Sequence, residues 1–311
     1  MLANDCQPHW SNSLSHQHQI HHQSYTKMAT VDYRTVQIDS VKVFYREAGS
    51  TSLPGLLLLH GHASASHTFR NILPELSSTF HVVAPDYPGF GNSDRPDPKD
   101  YQYNFVNLAN TIDKFTEKIG LTKFIVYLFD FGAPIGLMLA SKHPERIMGL
   151  FTQSGNAYDE GLAPPFEGIK DMWAHPDDPS KVEPLKEIFT PQGIEHAYTH
   201  GVSPRSRVGP DAAALDTYYT SREGAVDIQL ALLRDYENNV KMYPEWQAYL
   251  RKYQPKVVGI WGKHDPFFAS PGAEAFKRDV STADITVLED GGHFLVESHP
   301  KEIIEGLKKL L

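Results

Sequence analysis

Short apolar runs alternate with segments of helical spacing along most of the chain. The runs at 36–38, 41–45, 56–59, 81–83, 124–129, 147–151, 257–261 and 285–288 have the composition of strands. Between several of them apolar residues recur at steps of three and four, as from Phe105 to Ile119, where the helical pattern stops at Gly120. This alternation predicts an α/β fold, a mainly parallel sheet with helices on both faces.

The alternation breaks off once, between residues 156 and 243. Eight prolines are interleaved there with several tyrosines and Trp173, and this composition favours a mostly helical insertion. We call residues 156–243 the cap segment. The sequence therefore predicts one core made of residues 31–155 and 244–311, because 311 residues fit a single sheet with one insertion.

Residues 1–30 differ from the rest of the chain. They are rich in His, Gln and Ser and contain no apolar stretch that resembles a signal-peptide core, so we expect a disordered leader. The histidines are irregularly spaced and Cys6 is far from most of them, so no metal site is predicted. Because Cys6 is the single cysteine, no internal disulfide can form, and a cytoplasmic location is expected.

The charge balance narrows the class of partner. The chain carries 29 basic and 38 acidic residues, for a formal net charge of −9. Nucleic acids and anionic membranes both favour basic surfaces, so neither is an expected partner, and no apolar run is long enough to span a bilayer. A small neutral molecule, together with water, is the expected ligand.

One carboxylate stands at the junction between a strand and a helix. The run 124–129 is followed by Asp130, and the step Gly132-Ala133-Pro134 supplies a tight turn and a proline suited to a first helical turn. A sharp turn of this kind lifts one side chain above the sheet, where a nucleophile stands in hydrolases. Attack by a carboxylate on a saturated carbon gives an ordinary ester that water can cleave, so Asp130 indicates displacement at carbon.

Three further loops that follow predicted strands carry reactive side chains. They contain His60-Gly61-His62, His264-Asp265-Pro266 and Gly291-Gly292-His293. The carboxyl ends of parallel strands meet at one edge of a sheet, so these loops can converge on one site. The order nucleophile, acid, histidine is then filled by Asp130, Asp265 and His293 as a catalytic triad.

These segments together resemble one group of enzymes. Residues 57–66 (LLLHGHASAS), residues 84–93 (APDYPGFGNS) and the turn at Asp130 are similar to haloalkane dehalogenases and epoxide hydrolases, members of the α/β-hydrolase superfamily with an aspartate nucleophile. The resemblance spans residues 36–311 and implies the α/β-hydrolase fold with a helical cap. It implies no cofactor and no metal.

The resemblance also implies a role for each residue. Asp130 would form an alkyl ester, and His293, oriented by Asp265, would activate the water that cleaves it. The backbone N–H groups of His62 and Phe131 would form the oxyanion hole.

Departures from the two families decide between them. Haloalkane dehalogenases usually hold the halide with an asparagine at the position of His62 and a tryptophan at that of Phe131, and this chain has neither. Epoxide opening needs a proton donor, and the stretch around Tyr236 resembles one that carries such a tyrosine in soluble epoxide hydrolases. Tyr236 is therefore the candidate acid, with Tyr158 and Tyr198 as further candidates. Leu128 and Ala63 depart from the epoxide hydrolase pattern and blur the boundary.

The sequence favours an epoxide hydrolase, with a haloalkane dehalogenase as the alternative. A ligand-binding or biosynthetic homologue that kept the pocket without turnover is a further alternative, since fold alone does not establish activity. A serine esterase is disfavoured because the chain contains no Gly-x-Ser-x-Gly motif.

Overall fold

A computed structural model describes residues 30–311, which form one eight-stranded sheet. The predicted leader, residues 1–30, lies outside the described residues except for Thr30. The strands are β1 (Asp32–Ile38), β2 (Val41–Ala48), β3 (Gly55–Leu59), β4 (His81–Pro85), β5 (Phe124–Phe129), β6 (Ile147–Gln153), β7 (Val257–Gly262) and β8 (Asp284–Leu288). Each of the eight predicted runs falls on one of these strands.

The sheet has the order β1-β2-β4-β3-β5-β6-β7-β8. Strand β2 runs antiparallel to both β1 and β4, and every other neighbouring pair is parallel. The carboxyl ends of β3, β5, β6 and β7 therefore lie side by side at one edge. Ligands of open α/β sheets bind at such an edge, so the loops after these strands are placed to build a site.

Helices cover both faces of the sheet, as the alternation predicted. They are α1 (Leu73–Leu76), α2 (Phe105–Lys118), α3 (Gly132–Lys142), α4 (Phe166–Ala174), α5 (Pro179–Val182), α6 (Pro191–Thr199), α7 (Asp211–Thr220), α8 (Ala225–Tyr253), α9 (Ser270–Asp279), α10 (Leu295–Ser298) and α11 (Pro300–Lys308). Along β3, Leu57 and Leu59 belong to one buried apolar cluster while Leu56 and Leu58 belong to another. Successive side chains of a strand point to opposite faces, so each cluster is the core of one face.

Helix α2 shows how local sequence sets the bounds of an element. Its first turn is capped by Asn104, whose side chain accepts a hydrogen bond from the Asn107 amide at 2.8 Å. Its end is followed by Gly120 at φ +75°, a left-handed conformation that glycine adopts without strain.

The described chain between β6 and β7 is helical. It holds α4 to α8, and α8 is a helix of 29 residues that includes Pro244 and continues to Tyr253. The position between residues 243 and 244, where the sequence analysis ended the cap segment, thus lies inside a continuous helix. None of the helices within residues 30–311 is both long and apolar enough to cross a bilayer.

Candidate active site

Asp130 stands on a strained turn between β5 and α3. Its φ is +49°, a left-handed conformation that is costly for a residue with a β-carbon and is common at functional sites. The turn packs tightly against the loop after β3. A β-carbon on Gly61 would lie 2.7 Å from the Asp130 β-carbon, so glycine is required beside the turn.

The two carboxylate oxygens of Asp130 have different surroundings. Oδ1 accepts hydrogen bonds from the backbone N–H of His62 at 2.5 Å and from that of Phe131 at 2.6 Å. Oδ2 faces the imidazole of His293, with 3.7 Å between it and Nε2. Oδ1 is therefore held by two backbone donors, while Oδ2 faces the imidazole of His293.

The loop that carries His62 is fixed by buried hydrogen bonds. His60 Nδ1 donates to the Gly61 carbonyl at 2.9 Å, and its Nε2 accepts from the Tyr87 amide at 3.3 Å. Burial lowers the pKa of His60 to about 3, so this ring is neutral. On the other side, the Ala63 amide donates to Gln229 of α8 at 2.7 Å. The backbone donor at residue 62 is thus positioned from both sides.

His293 is oriented by Asp265. Its Nδ1 lies 3.0 Å from Asp265 Oδ2 and 3.1 Å from Oδ1, and both side chains are buried. Burial alone would lower the pKa of His293, but the charge and the hydrogen bond of Asp265 outweigh it, and the pKa is raised above its ordinary value. With Nδ1 carrying the proton, Nε2 is left as an acceptor, and it has no hydrogen-bond partner among the described residues.

Asp265 is itself surrounded by donors. The Ser154 hydroxyl donates to Oδ2 at 2.6 Å, and the amides of Phe267 and Phe268 donate to Oδ1 at 2.9 and 3.0 Å. The Gln153 amide group donates to the backbone carbonyl of His293 at 2.7 Å, and the Tyr127 hydroxyl donates to the Gln153 side chain. The end of β6 and the residue after it thus contact both Asp265 and His293.

A cavity opens beside Asp130, with about 450 Å³ of unfilled space that includes open solvent. Its walls come from the sheet edge and from the cap segment. The residues that line it are His62, Asp130, Phe131, Pro165, Phe166, Ile169, Leu185, Ile188, Leu233, Phe267 and Phe268. Among these described residues only His62 and Asp130 have polar side chains, so the cavity suits a small apolar ligand that reacts at one end.

The structure does not bring Tyr236 into this cavity. Its ring packs against Phe131 and Phe166, with ring centroids 6.2 and 5.4 Å away, and it is not among the lining residues. Its hydroxyl is buried beside Tyr243, and burial raises its pKa well above the ordinary value. Helix α8 presents Leu233 to the cavity instead, and this placement does not support Tyr236 as the acid.

The two other candidate tyrosines, unlike Tyr236, donate hydrogen bonds to carboxylates away from the cavity. The Tyr158 hydroxyl donates to Asp279 at 2.9 Å, and the Tyr198 hydroxyl donates to Asp216 at 2.6 Å. Both side chains are buried, and neither lines the cavity. Each hydroxyl is therefore used in a buried hydrogen bond to a carboxylate.

The structure brings together the other residues singled out in the sequence. Asp130 accepts from the backbone N–H groups of His62 and Phe131. His293 lies between the two aspartates, hydrogen-bonded to Asp265 and 3.7 Å from Asp130. Sequence reasoning did not find the supporting roles of Ser154, Gln153 and Gln229. Ser154 and Gln153 could have been noticed, because Gln153 ends β6 and Ser154 follows it at the reactive edge.

Within residues 30–311, no group of three or more His, Cys, Asp or Glu side chains is arranged to hold a metal ion.

Comparison with known proteins agrees with this architecture. Residues 54–300 match the family described as alpha/beta hydrolase fold. The chain is 41% identical over 277 residues to an uncharacterized hydrolase of Saccharomyces cerevisiae, covering 88% of this chain and 94% of that protein.

Two solved structures share the fold at lower identity. A loop variant of the haloalkane dehalogenase DbeA from Bradyrhizobium elkanii is 20% identical, with a TM-score of 0.75 over 90% of this chain and 96% of that one. The epoxide hydrolase CorEH is 19% identical, with a TM-score of 0.71 over 90% of this chain and 98% of that one. On the strength of the family match and of the yeast relative, this chain is a member of the α/β-hydrolase family.

Proposed function

We propose that this hydrolase opens a small apolar epoxide through a covalent ester on Asp130. The observation that carries the proposal is the unequal treatment of the two Asp130 oxygens. Oδ1 is held by two backbone amides, whereas Oδ2 lies beside an unpartnered imidazole nitrogen at the end of an apolar cavity. This arrangement suits attack by Oδ2 on a saturated carbon of a bound substrate.

The second half of the reaction uses His293. A water molecule between His293 Nε2 and the ester carbonyl carbon would give its proton to Nε2 and attack that carbon. The charge that develops on Oδ1 would be held by the amides of His62 and Phe131, which already bind this oxygen. Asp265 would stabilise the imidazolium that forms, as its hydrogen bond to Nδ1 supports.

The cavity favours an epoxide over a haloalkane. A halide departs as a free ion, and its removal from water is costly unless several donors surround it. Among the described lining residues, His62 alone has a side-chain N–H, since Phe131 and its neighbours are apolar. The oxygen of an opened epoxide stays attached to the substrate and needs one proton, a smaller demand that this cavity can meet.

The variant His293→Gln tests the proposal. Without the base, ester formation proceeds and ester hydrolysis stops, so substrate accumulates on Asp130. Intact-protein mass spectrometry after incubation with a panel of terminal epoxides and 1-haloalkanes should show an increment equal to the whole mass of an epoxide.

One control locates the adduct, and the mass of the adduct separates the alternatives. The double variant Asp130→Asn, His293→Gln keeps the shape of the site but lacks the carboxylate, and it should stay unmodified. An increment equal to a haloalkane less its hydrogen halide would instead assign a dehalogenase. An unmodified His293→Gln protein with every member of the panel would contradict covalent catalysis and favour a binding role.

A further inference from the structure

The side chain of His62 is buried, and its polar atoms have no hydrogen-bond partner in the part of the chain that the structure describes. The residue is 5% exposed, and neither ring nitrogen makes a hydrogen bond within residues 30–311. Its backbone N–H holds Asp130, so the imidazole is not needed for that contact. A buried imidazole without partners is costly, because its donor and its acceptor both lose their bonds to water.

The imidazole faces the reactive end of the cavity. Nδ1 lies 3.9 Å from Asp130 Oδ1, too far for a hydrogen bond but close enough to share a bound substrate atom. The ring is held among Phe131, Phe189 and Phe267, with ring centroids between 5.5 and 5.7 Å away. These apolar walls fix the orientation of the ring and offer it no hydrogen bond.

Burial also sets the state of the ring. It lowers the pKa of His62, and although the negative charge of Asp130 opposes this effect, the net shift is downward. The neutral imidazole still carries one N–H. Charges that act on it from other elements are those of His293 and Asp216, in addition to Asp130.

We infer that His62 is the catalytic residue that donates its imidazole N–H to the oxygen of the opening epoxide. This inference rests on the proposed function and assigns the donor to a residue that lines the cavity, which Tyr236 does not. No other lining residue among those described has a side-chain N–H or O–H donor, apart from a protonated Asp130. The cavity thus has a nucleophile and an electrophilic donor at the same end.

The step balances without an added reagent. Asp130 Oδ2 forms a bond to the epoxide carbon, the carbon–oxygen bond of the ring breaks, and its electron pair goes to the oxygen. That oxygen takes the proton of the His62 N–H, since an alkoxide is the stronger base. Hydrolysis of the ester then regenerates the Asp130 carboxylate and releases one proton, which returns the imidazole to its neutral form.

The test measures the first half-reaction alone. In the His293→Gln background, the rate of adduct formation is followed by rapid quench and mass spectrometry with and without His62→Phe. Two probes of similar shape are used, 1,2-epoxypropane and 3,3,3-trifluoro-1,2-epoxypropane, whose fluorines make the departing oxygen less basic. We expect His62→Phe to lower the rate of adduct formation with 1,2-epoxypropane by about 10²–10⁴-fold. With the fluorinated epoxide the rate should fall by much less.

A matched variant separates donation from packing. His62→Gln retains an N–H donor, so its rate of adduct formation with 1,2-epoxypropane should fall less than that of His62→Phe. Because the imidazole has no partner in the fold, His62→Phe should not lower the midpoint of urea unfolding.

Three results would overturn the role of His62. These are an unchanged rate in His62→Phe, an equal loss with both probes, and an equal loss in His62→Gln and His62→Phe. In each of them the adduct on Asp130 would still form in the parent variant, so the proposed function would stand and only the role of His62 would fall.

Discussion

At the scale of single residues, two aspartates differ in how fully their oxygens are occupied. Asp265 accepts from Ser154, from the amides of Phe267 and Phe268 and from His293, so its lone pairs are largely used. Asp130 lines the cavity and has donors on Oδ1, while Oδ2 lies 3.7 Å from His293 Nε2. On the proposed function, this difference in environment separates a carboxylate that orients from a carboxylate that can attack, although the residue type is the same.

The link between Asp265 and His293 makes a prediction about pH. The base must be neutral to accept a proton from water, so ester hydrolysis should rise with pH through the raised pKa of His293. Asp265→Asn removes the charge that stabilises the imidazolium. The pKa of His293 should then fall, the acid limb of the profile should move to lower pH, and the plateau rate should drop by about 10²–10⁴-fold.

The measurement is the pH dependence of single-turnover product release from the pre-formed ester. Asp284→Asn is the matched control, because it removes an exposed carboxylate whose partner is Lys309 at 2.7 Å. Its profile should coincide with that of the unmodified enzyme. An acid limb at the same pH in Asp265→Asn would mean that another group sets it.

At the scale of elements, the reactive turn depends on the close approach of two loops. Gly61→Ala would place a β-carbon 2.7 Å from the Asp130 β-carbon and 2.9 Å from Oδ1. The turn must move to relieve this contact, at about 1–3 kcal/mol of unfolding free energy, and adduct formation should slow by about 10²-fold or more.

Gly120→Ala provides the comparison for Gly61→Ala. Gly120, unlike Gly61, has a positive φ, and no atom lies within 4 Å of the added carbon. It precedes β5, whereas Asp130 follows that strand. The variant should lose about 1–2 kcal/mol of stability and keep its rate of adduct formation. If both variants lost stability and activity in the same proportion, the effect would be one of folding and not of the turn.

Which site residues could be placed from the sequence depended on the kind of element that carries them. Strands and the loops after them follow from local patterns, so the positions of Asp130, Asp265 and His293 at one edge could be anticipated. Tyr236 could not be placed, because the side of α8 that faces the cavity depends on how the whole helix packs. Leu233 and Tyr236 are less than one turn apart on α8, yet only Leu233 lines the cavity.

At the scale of the whole molecule, the cap segment and the sheet share one buried cluster. Leu230, Leu232 and Tyr236 of α8 belong to the same apolar cluster as Leu57 and Val126 of the sheet. Helix α8 also reaches the loop after β3 through Gln229. The described chain therefore has no independent core for the cap segment, and cap and sheet should unfold together.

Leu232→Ala tests this cooperativity. Leu232 is fully buried, so the substitution should cost about 2–5 kcal/mol. Urea unfolding followed by far-ultraviolet circular dichroism and by tryptophan fluorescence should shift as a single transition with coincident midpoints. An early separate phase in one probe would contradict a shared core.

The hold of two backbone amides on Oδ1 has a consequence for the fate of individual atoms. If only Oδ2 is free to bond the substrate, then cleavage at the ester carbonyl sends Oδ2 away with the diol. Solvent oxygen takes its place in the side chain. On this scheme every cycle transfers one Asp130 oxygen atom to the product and replaces it with oxygen from water. The first diol released therefore carries an oxygen that was present in the protein before turnover, and later diols carry oxygen from the solvent.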